Sequence, residues 1–171
     1  MVPLLVNLTG FVALALNVMG LVRQSDRTLR QSTGWASAIW AANNLLIGAQ
    51  SAAALSMLSV GRQASAEAVQ GRGERLRLWC CTVFLIVTAV IGAVTWQGPI
   101  TLFTTAGSML ATYAMFHLRG AWLRVAMIAV AALWMANALA FNSWWQMLAN
   151  AANGGAAALG AWRARKAVLA G

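Results

Sequence analysis

Residues 29–43 read LRQSTGWASAIWAAN, and residues 123–137 read LRVAMIAVAALWMAN. Both have the form Leu-Arg, nine residues, Trp, any residue, Ala-Asn. A shift of 94 lays Leu29-Arg30 on Leu123-Arg124, Ala38 on Ala132, Trp40 on Trp134, Asn43 on Asn137 and Leu45 on Leu139. Just upstream, a shift of 96 aligns Pro3 with Pro99, Thr9 with Thr105, Leu14 with Leu110, Ala15 with Ala111, Met19 with Met115 and Arg23 with Arg119. The two prolines are the only ones in the chain, and both fall in the first turn of an apolar segment, where proline costs no helical hydrogen bond. Self-similarity on this scale reads as a duplicated helical unit.

Composition says what medium the units occupy. Of 171 residues, 61% are hydrophobic and 9% charged, against about 25% charged in a soluble domain. A spanning helix takes about 20 apolar residues, and seven such segments fit: residues 3–22, 32–48, 50–66, 78–95, 99–118, 121–140 and 144–162. The reading is an all-α polytopic membrane protein with little chain outside the bilayer. The third segment is the weakest, because its apolar run stops at Gly61 before Arg62; there the expectation is that Arg62 snorkels to the interface.

Charge sets the orientation. The twelve cations are eleven arginines and Lys166, and the acids are Asp26, Glu67 and Glu74. With the N-terminus outside, the segments following spans one, three and five, together with the C-terminal tail, hold every cation, while the turns at 49–50, 96–98 and 141–143 hold none. That is the positive-inside pattern. It accounts for the net charge of +9 through the bilayer and its headgroups rather than through nucleic acid. The expected topology is N-terminus periplasmic and C-terminus cytoplasmic, in a bacterial inner membrane. Trp96, Trp144 and Trp145 then lie at the outer interface and Trp35, Trp79, Trp122 and Trp162 near the inner one, as an aromatic belt requires. Trp40 and Trp134 lie deep in their helices instead.

Two three-helix units in the same orientation need an odd number of connecting spans, and the fourth segment supplies one. The organisation is a first repeat at 1–66, a cytoplasmic loop and linker helix at 67–98, and a second repeat with a short basic tail at 99–171. Parallel repeats of this kind have their pseudo-twofold axis along the membrane normal, as in SWEET transporters.

The strings Trp40-Ala-Ala-Asn-Asn-Leu-Leu-Ile-Gly48, Ser56-Met-Leu-Ser-Val-Gly-Arg62 and Ser108-x-Leu-Ala-x-Tyr-Ala-Met-Phe-His-Leu-Arg119 resemble the YgjV-type bacterial inner-membrane family over nearly the whole chain. The resemblance implies an inner-membrane location rather than a particular activity. It departs from the family string in lacking a His near Asn43. The layout also resembles SWEET, PQ-loop and nicotinamide riboside transporters, but without the mid-helix proline hinge of SWEETs.

Enzymatic constellations are absent from the pattern. All three acids fall in the predicted cytoplasmic segments, and there is no metal-ligand spacing, no Ser-His-Asp set and no phosphate-binding glycine loop. His117 reads as a helix-end residue and Cys80-Cys81 as small buried hydrophobes. The chain is therefore expected not to be an enzyme and to need no cofactor or metal. Without an acid or His at the centre of a span, a proton relay has no members, and facilitated diffusion is the simpler transport mode.

The polar candidates are Asn43 and Asn137, each three residues after its Trp and so on the same helix face. An unpaired amide in hydrocarbon costs roughly 2–7 kcal/mol, so each needs a partner or water, either as an interhelical hydrogen bond or in a solute pocket. The candidate solute site is Trp40, Asn43, Trp134 and Asn137, with Asn150 and Asn153 beside them, at the interface of the repeats. Its occupant is a small polar solute. The competing reading is a structural or accessory membrane subunit with a packed interior. A homo-oligomer is compatible with either. The topology is tested by cysteine labelling: positions 97 and 142 are expected to react from the periplasm, and position 73 only after permeabilisation. Reaction at position 73 in intact cells would remove the seven-span arrangement.

Overall fold

The computed structural model describes residues 2–22 and 25–169, so Arg23 lies outside the described residues. Among these the chain forms seven helices and no strand: α1 (Val2–Val22), α2 (Asp26–Leu46), α3 (Gln50–Ala68), α4 (Glu74–Val94), α5 (Ile100–His117), α6 (Gly120–Ala140) and α7 (Trp144–Leu169). Each predicted segment corresponds to one helix, but the charged stretches assigned to loops are largely helical. Ser25 caps α2 by accepting from the Thr28 N–H at 3.3 Å, with Asp26 in the first turn, favourable beside the positive end of the helix dipole. Arg27 and Arg30 are thereby carried on a helix. In the same way α4 begins at Glu74, before its apolar run, and α7 continues past Trp162 through the basic tail.

Three helices, α1, α4 and α6, are long and apolar enough to cross a membrane by length and composition alone. The other four are diluted by polar residues, and most of those face inward. Helix α3 buries Ser51, Ser56, Ser59, Arg62 and Gln63, and α5 buries Thr101, Thr104, Ser108 and Thr112. Averaging over such a helix hides an apolar outer face behind a polar inner one.

The packing is a closed ring. Helix α1 lies against α2 and α7, α2 against α3, α3 against α5, α5 against α6, and α6 against α7. Helix α4 stands outside this ring against α3 and α5, burying only Cys81, Thr88 and Gly92. An apolar cluster built on Leu21, Leu29, Met115, Phe116 and Leu123 fills one end of the ring and includes Cys81, with Cys80 packed against it.

That end also holds the charges. Arg30 Nε donates to Glu67 Oε2 at 2.9 Å, and Arg27 Nε lies 3.2 Å from Glu67 Oε1. Arg124 Nη1 donates to Asp26 Oδ1 at 2.9 Å, and the Gly120 N–H to Asp26 Oδ2 at 3.0 Å, joining α6 to α2. Arg30 and Arg124, equivalent by the 94-residue shift, are both buried, where solvated loop arginines were expected. At the opposite end Gln97 ties two turns together. Its Nε2 donates to the Gly48 carbonyl at 3.1 Å, and its Oε1 accepts from the Ser51 N–H at 3.1 Å.

The α2–α3 and α6–α7 turns have the same hydrogen-bond pattern, again at a shift of 94. The N–H groups of Ile47, Gly48 and Ala49 donate to the carbonyls of Asn43, Leu45 and Asn44; those of Phe141, Asn142 and Ser143 donate to Asn137, Leu139 and Ala138. Gly48 (φ 80°) and Asn142 (φ 48°) occupy the same left-handed position, which glycine and asparagine tolerate best.

Helices α1 and α7 approach closely at Gly10. A Cβ placed there would lie 2.5 Å from Trp145 Cγ and 2.6 Å from its Cβ, while the Trp145 ring is held by Nε1–H donation to Asn7 Oδ1 at 2.7 Å. Gly10→Ala is expected to force these helices apart and cost about 1–3 kcal/mol, seen as a lower melting temperature of the detergent-solubilised protein. An unchanged melting temperature would mean that α1 does not pack on α7 in this way.

Candidate functional site: a polar cavity on the ring axis

Within the ring lies a cavity of about 120 Å³, walled by residues of all six ring helices and none of α4. Its polar lining comes from stripes at helical spacing. Helix α2 contributes Thr33, Ser37, Trp40 and Asn44, helix α3 Ser56, Ser59, Arg62 and Gln63, and helix α7 Gln146, Asn150 and Asn153. Apolar wall is supplied by Ala111 and by Met127, Val130 and Ala131.

Of the residues singled out from sequence, Trp40, Trp134, Asn150 and Asn153 are on the cavity wall. Asn43 and Asn137 are not. They are buried behind it in a network of amides. Asn43 Nδ2 donates to the Val6 carbonyl and to Thr9 Oγ1, both at 2.9 Å. Gln146 Nε2 donates to Asn44 Oδ1 at 2.9 Å and to Asn43 Oδ1 at 3.4 Å, and Gln146 Oε1 accepts from Asn137 Nδ2 at 3.2 Å. One glutamine thus joins the two asparagines that the 94-residue shift pairs, and lines the cavity from α7. The sequence reading had placed Asn43 on the face of Trp40, three residues away. In the structure the cavity face continues from Trp40 to Asn44, four residues away, and Asn43 points toward α1.

Arg62 corrects a second expectation. It does not snorkel: its side chain is buried in the ring, 4% exposed. Nη1 donates to the Ser108 carbonyl at 2.9 Å, to Ser108 Oγ at 3.1 Å and to Thr112 Oγ1 at 3.1 Å, and Nη2 donates to Ser59 Oγ at 2.7 Å. All of these acceptors are neutral. Arg62 lies twelve residues into α3, about 18 Å at 1.5 Å per residue, and its hydrogen bonds to Ser108 and Thr112 of α5 hold it inside the ring. Asn44, Arg62, Gln63 and Gln146 were missed as site residues. The signal for Asn44, Gln63 and Gln146 was present in the stripes 33-37-40-44, 56-59-63 and 146-150-153, each at spacings of three and four, and Arg62 lies three residues after Ser59.

The distribution of polarity defines the class. Large apolar side chains cover the outside, including Leu4, Phe11, Val94 and the tryptophans at 35, 79, 96, 122, 144 and 162, while Asn43, Asn44, Arg62, Arg124 and Asn137 are buried. A water-soluble domain has the reverse arrangement, so this is a helical membrane protein. Residues 4–167 match the family model Imp-YgjV, bacterial inner membrane protein, and the chain belongs to that family. Neither the curated proteins nor the solved structures give a match.

The amide network makes a stability prediction. Asn43→Ala removes two bonds to α1 and one from Gln146. Interhelical hydrogen bonds in membranes average about 0.6 kcal/mol, so a loss of about 1–2 kcal/mol is expected, read from thermal or denaturant unfolding. Gln146→Leu strands Asn137 Nδ2 and should cost a similar amount. Because the two share one network, the double mutant should depart from additivity by at least about 0.5 kcal/mol. Additive losses would show that Gln146 does not link the two asparagines.

Proposed function

We propose that this protein spans the inner membrane seven times, N-terminus periplasmic and C-terminus cytoplasmic, and carries a small polar solute through the axial cavity by facilitated transport. The observation that carries the reading is the cavity itself. It carries polar side chains on a largely apolar wall, it is walled by both halves of the chain, and it reaches the Gln146 amide network.

The topology is supported by the charge pattern and by the inward-facing polar stripes, which explain why α2, α3, α5 and α7 have low mean hydropathy while still offering apolar surface to lipid. Two parallel repeats, α1–α3 and α5–α7 with α4 as linker, are supported by the matching turns and by the ring. Replacing α1, α2 and α3 by α5, α6 and α7 maps every ring contact onto another ring contact, including the two interfaces between halves, α3 with α5 and α7 with α1. On this reading α2 and α6 face each other, with Trp40 and Trp134 on opposite walls. No residue is assigned a catalytic role, and the bilayer is the only partner the reading requires.

The competing reading, a packed structural subunit, draws on Asn43 and Asn137, whose direct bonds serve packing. It leaves the cavity without a purpose. The test is flux into proteoliposomes across a panel of small polar metabolites, comparing wild type with Ala131→Phe, which puts a ring into the cavity from α6. Uptake above empty liposomes, reduced at least about tenfold by Ala131→Phe in folded protein, is expected. Uptake indifferent to the filled cavity would place the route elsewhere, and no uptake of any solute by stable protein would favour the structural subunit.

A further inference from the structure

The cavity wall carries a cation without a counter-ion. Arg62 has no ion pair among the described residues, and the chain's three acids are committed elsewhere or distant: Asp26 holds Arg124, Glu67 holds Arg27 and Arg30, and Glu74 is exposed at the start of α4. Burying an uncompensated guanidinium is costly, and Ser59, Ser108 and Thr112 hold it in place without neutralising it. Its Nε has no hydrogen-bond partner. Nε and Nη2 form one edge of the guanidinium, the edge that binds a carboxylate through two parallel hydrogen bonds.

Two further orphans share the cavity wall. Gln63 Oε1 and Asn153 Oδ1 are buried acceptors without donors. They call for a ligand that also carries an O–H or N–H. Trp40 and Trp134 offer flat apolar faces to the rest of it. The volume, about 120 Å³, is below that of the roughly 150 Å³ cavity that admits benzene.

We propose that the axial cavity binds a small organic carboxylate bearing a hydroxyl or N–H group, with Arg62 as the anion anchor and Gln63 and Asn153 as acceptors for the ligand's donor. This rests on reading the cavity as a solute site, and names the class of solute. An anion with no O–H or N–H, such as chloride, would satisfy Arg62 but neither amide, and a neutral solute would leave Arg62 uncompensated.

The experiment measures binding by calorimetry and flux in proteoliposomes, using sodium lactate and sodium glycolate, their neutral counterparts lactamide and glycolamide, and sodium chloride alone. Wild-type protein is expected to bind at least one of the two carboxylates at least tenfold more tightly than its amide and to show no binding of chloride. Arg62→Gln should weaken carboxylate binding about 10- to 150-fold, the range for a hydrogen bond to a charged group, with Arg62→Lys between the two. If Arg62→Gln does not fold, Asn153→Asp serves in its place. It leaves Arg62 intact and adds a competing carboxylate to the wall, so carboxylate binding should fall at least tenfold while amide binding does not. Amides binding as well as carboxylates, chloride binding alone, or carboxylate binding indifferent to both variants would overturn the assignment. Flux of the neutral amides without carboxylate preference overturns the anion class but leaves transport standing. Carboxylate binding without flux retains the anion site and removes transport. With neither binding nor flux, both fall.

Discussion

A polar group at membrane depth has no water to fall back on, and the arrangement of this protein follows from that constraint. A buried amide, hydroxyl or guanidinium left without a partner there is costly, so most are satisfied by another part of the chain. A helix with a polar stripe therefore turns it away from lipid, and six helices that do so close into a ring. Helix α4, whose apolar run from Leu78 to Val94 carries only small polar groups such as Thr88, has no such stripe and stands outside. Thr88 satisfies itself by donating to the Phe84 carbonyl at 2.7 Å, a solution open to threonine but not to arginine or glutamine.

The longer polar side chains have to reach across. Arg62 extends from α3 to α5, Gln146 from α7 to α2 and α6, and Arg124 from α6 to Asp26 on α2. These ties are also what close the ring, so satisfaction of polar groups and assembly of the helices are one event. The ties are not symmetric. Asp26 falls opposite Gly120 under the 94-residue shift, and Arg30 takes Glu67 as its partner while Arg124 takes Asp26. The two halves that the 94-residue shift aligns therefore differ in how they pair their charges.

Among the described residues, Arg62 is a cation whose hydrogen-bond partners are all neutral. Were an acid present within reach, the cavity would be internally neutral and suited to an uncharged occupant. Four hydrogen bonds fix the Arg62 head while its Nε has no partner; for the proposed anion, such preorganisation would lower the ordering cost of binding.

Much of this was legible in the linear chain, because the signals are periodic or local. Seven helices follow from the spacing of apolar runs, the membrane class from scarcity of charge, the resemblance between halves from the Leu-Arg-x9-Trp-x-Ala-Asn strings, and the lipid-facing tryptophans from their places near segment ends. The deep tryptophans, Trp40 and Trp134, both lie on the cavity wall. Direction and reach are different matters. Whether Asn43 or Asn44 faces the cavity turns on one residue step, a rotation of about 100°, which only the packing of α1 against α2 decides. Whether Arg62 runs to the interface or into the ring depends on the acceptors Ser108, Thr112 and Ser59, two of which lie more than forty residues away. Sequence determined which groups this protein had to satisfy; tertiary structure alone decided who satisfies them, because in hydrocarbon the partner must be another side chain or carbonyl brought there by the fold.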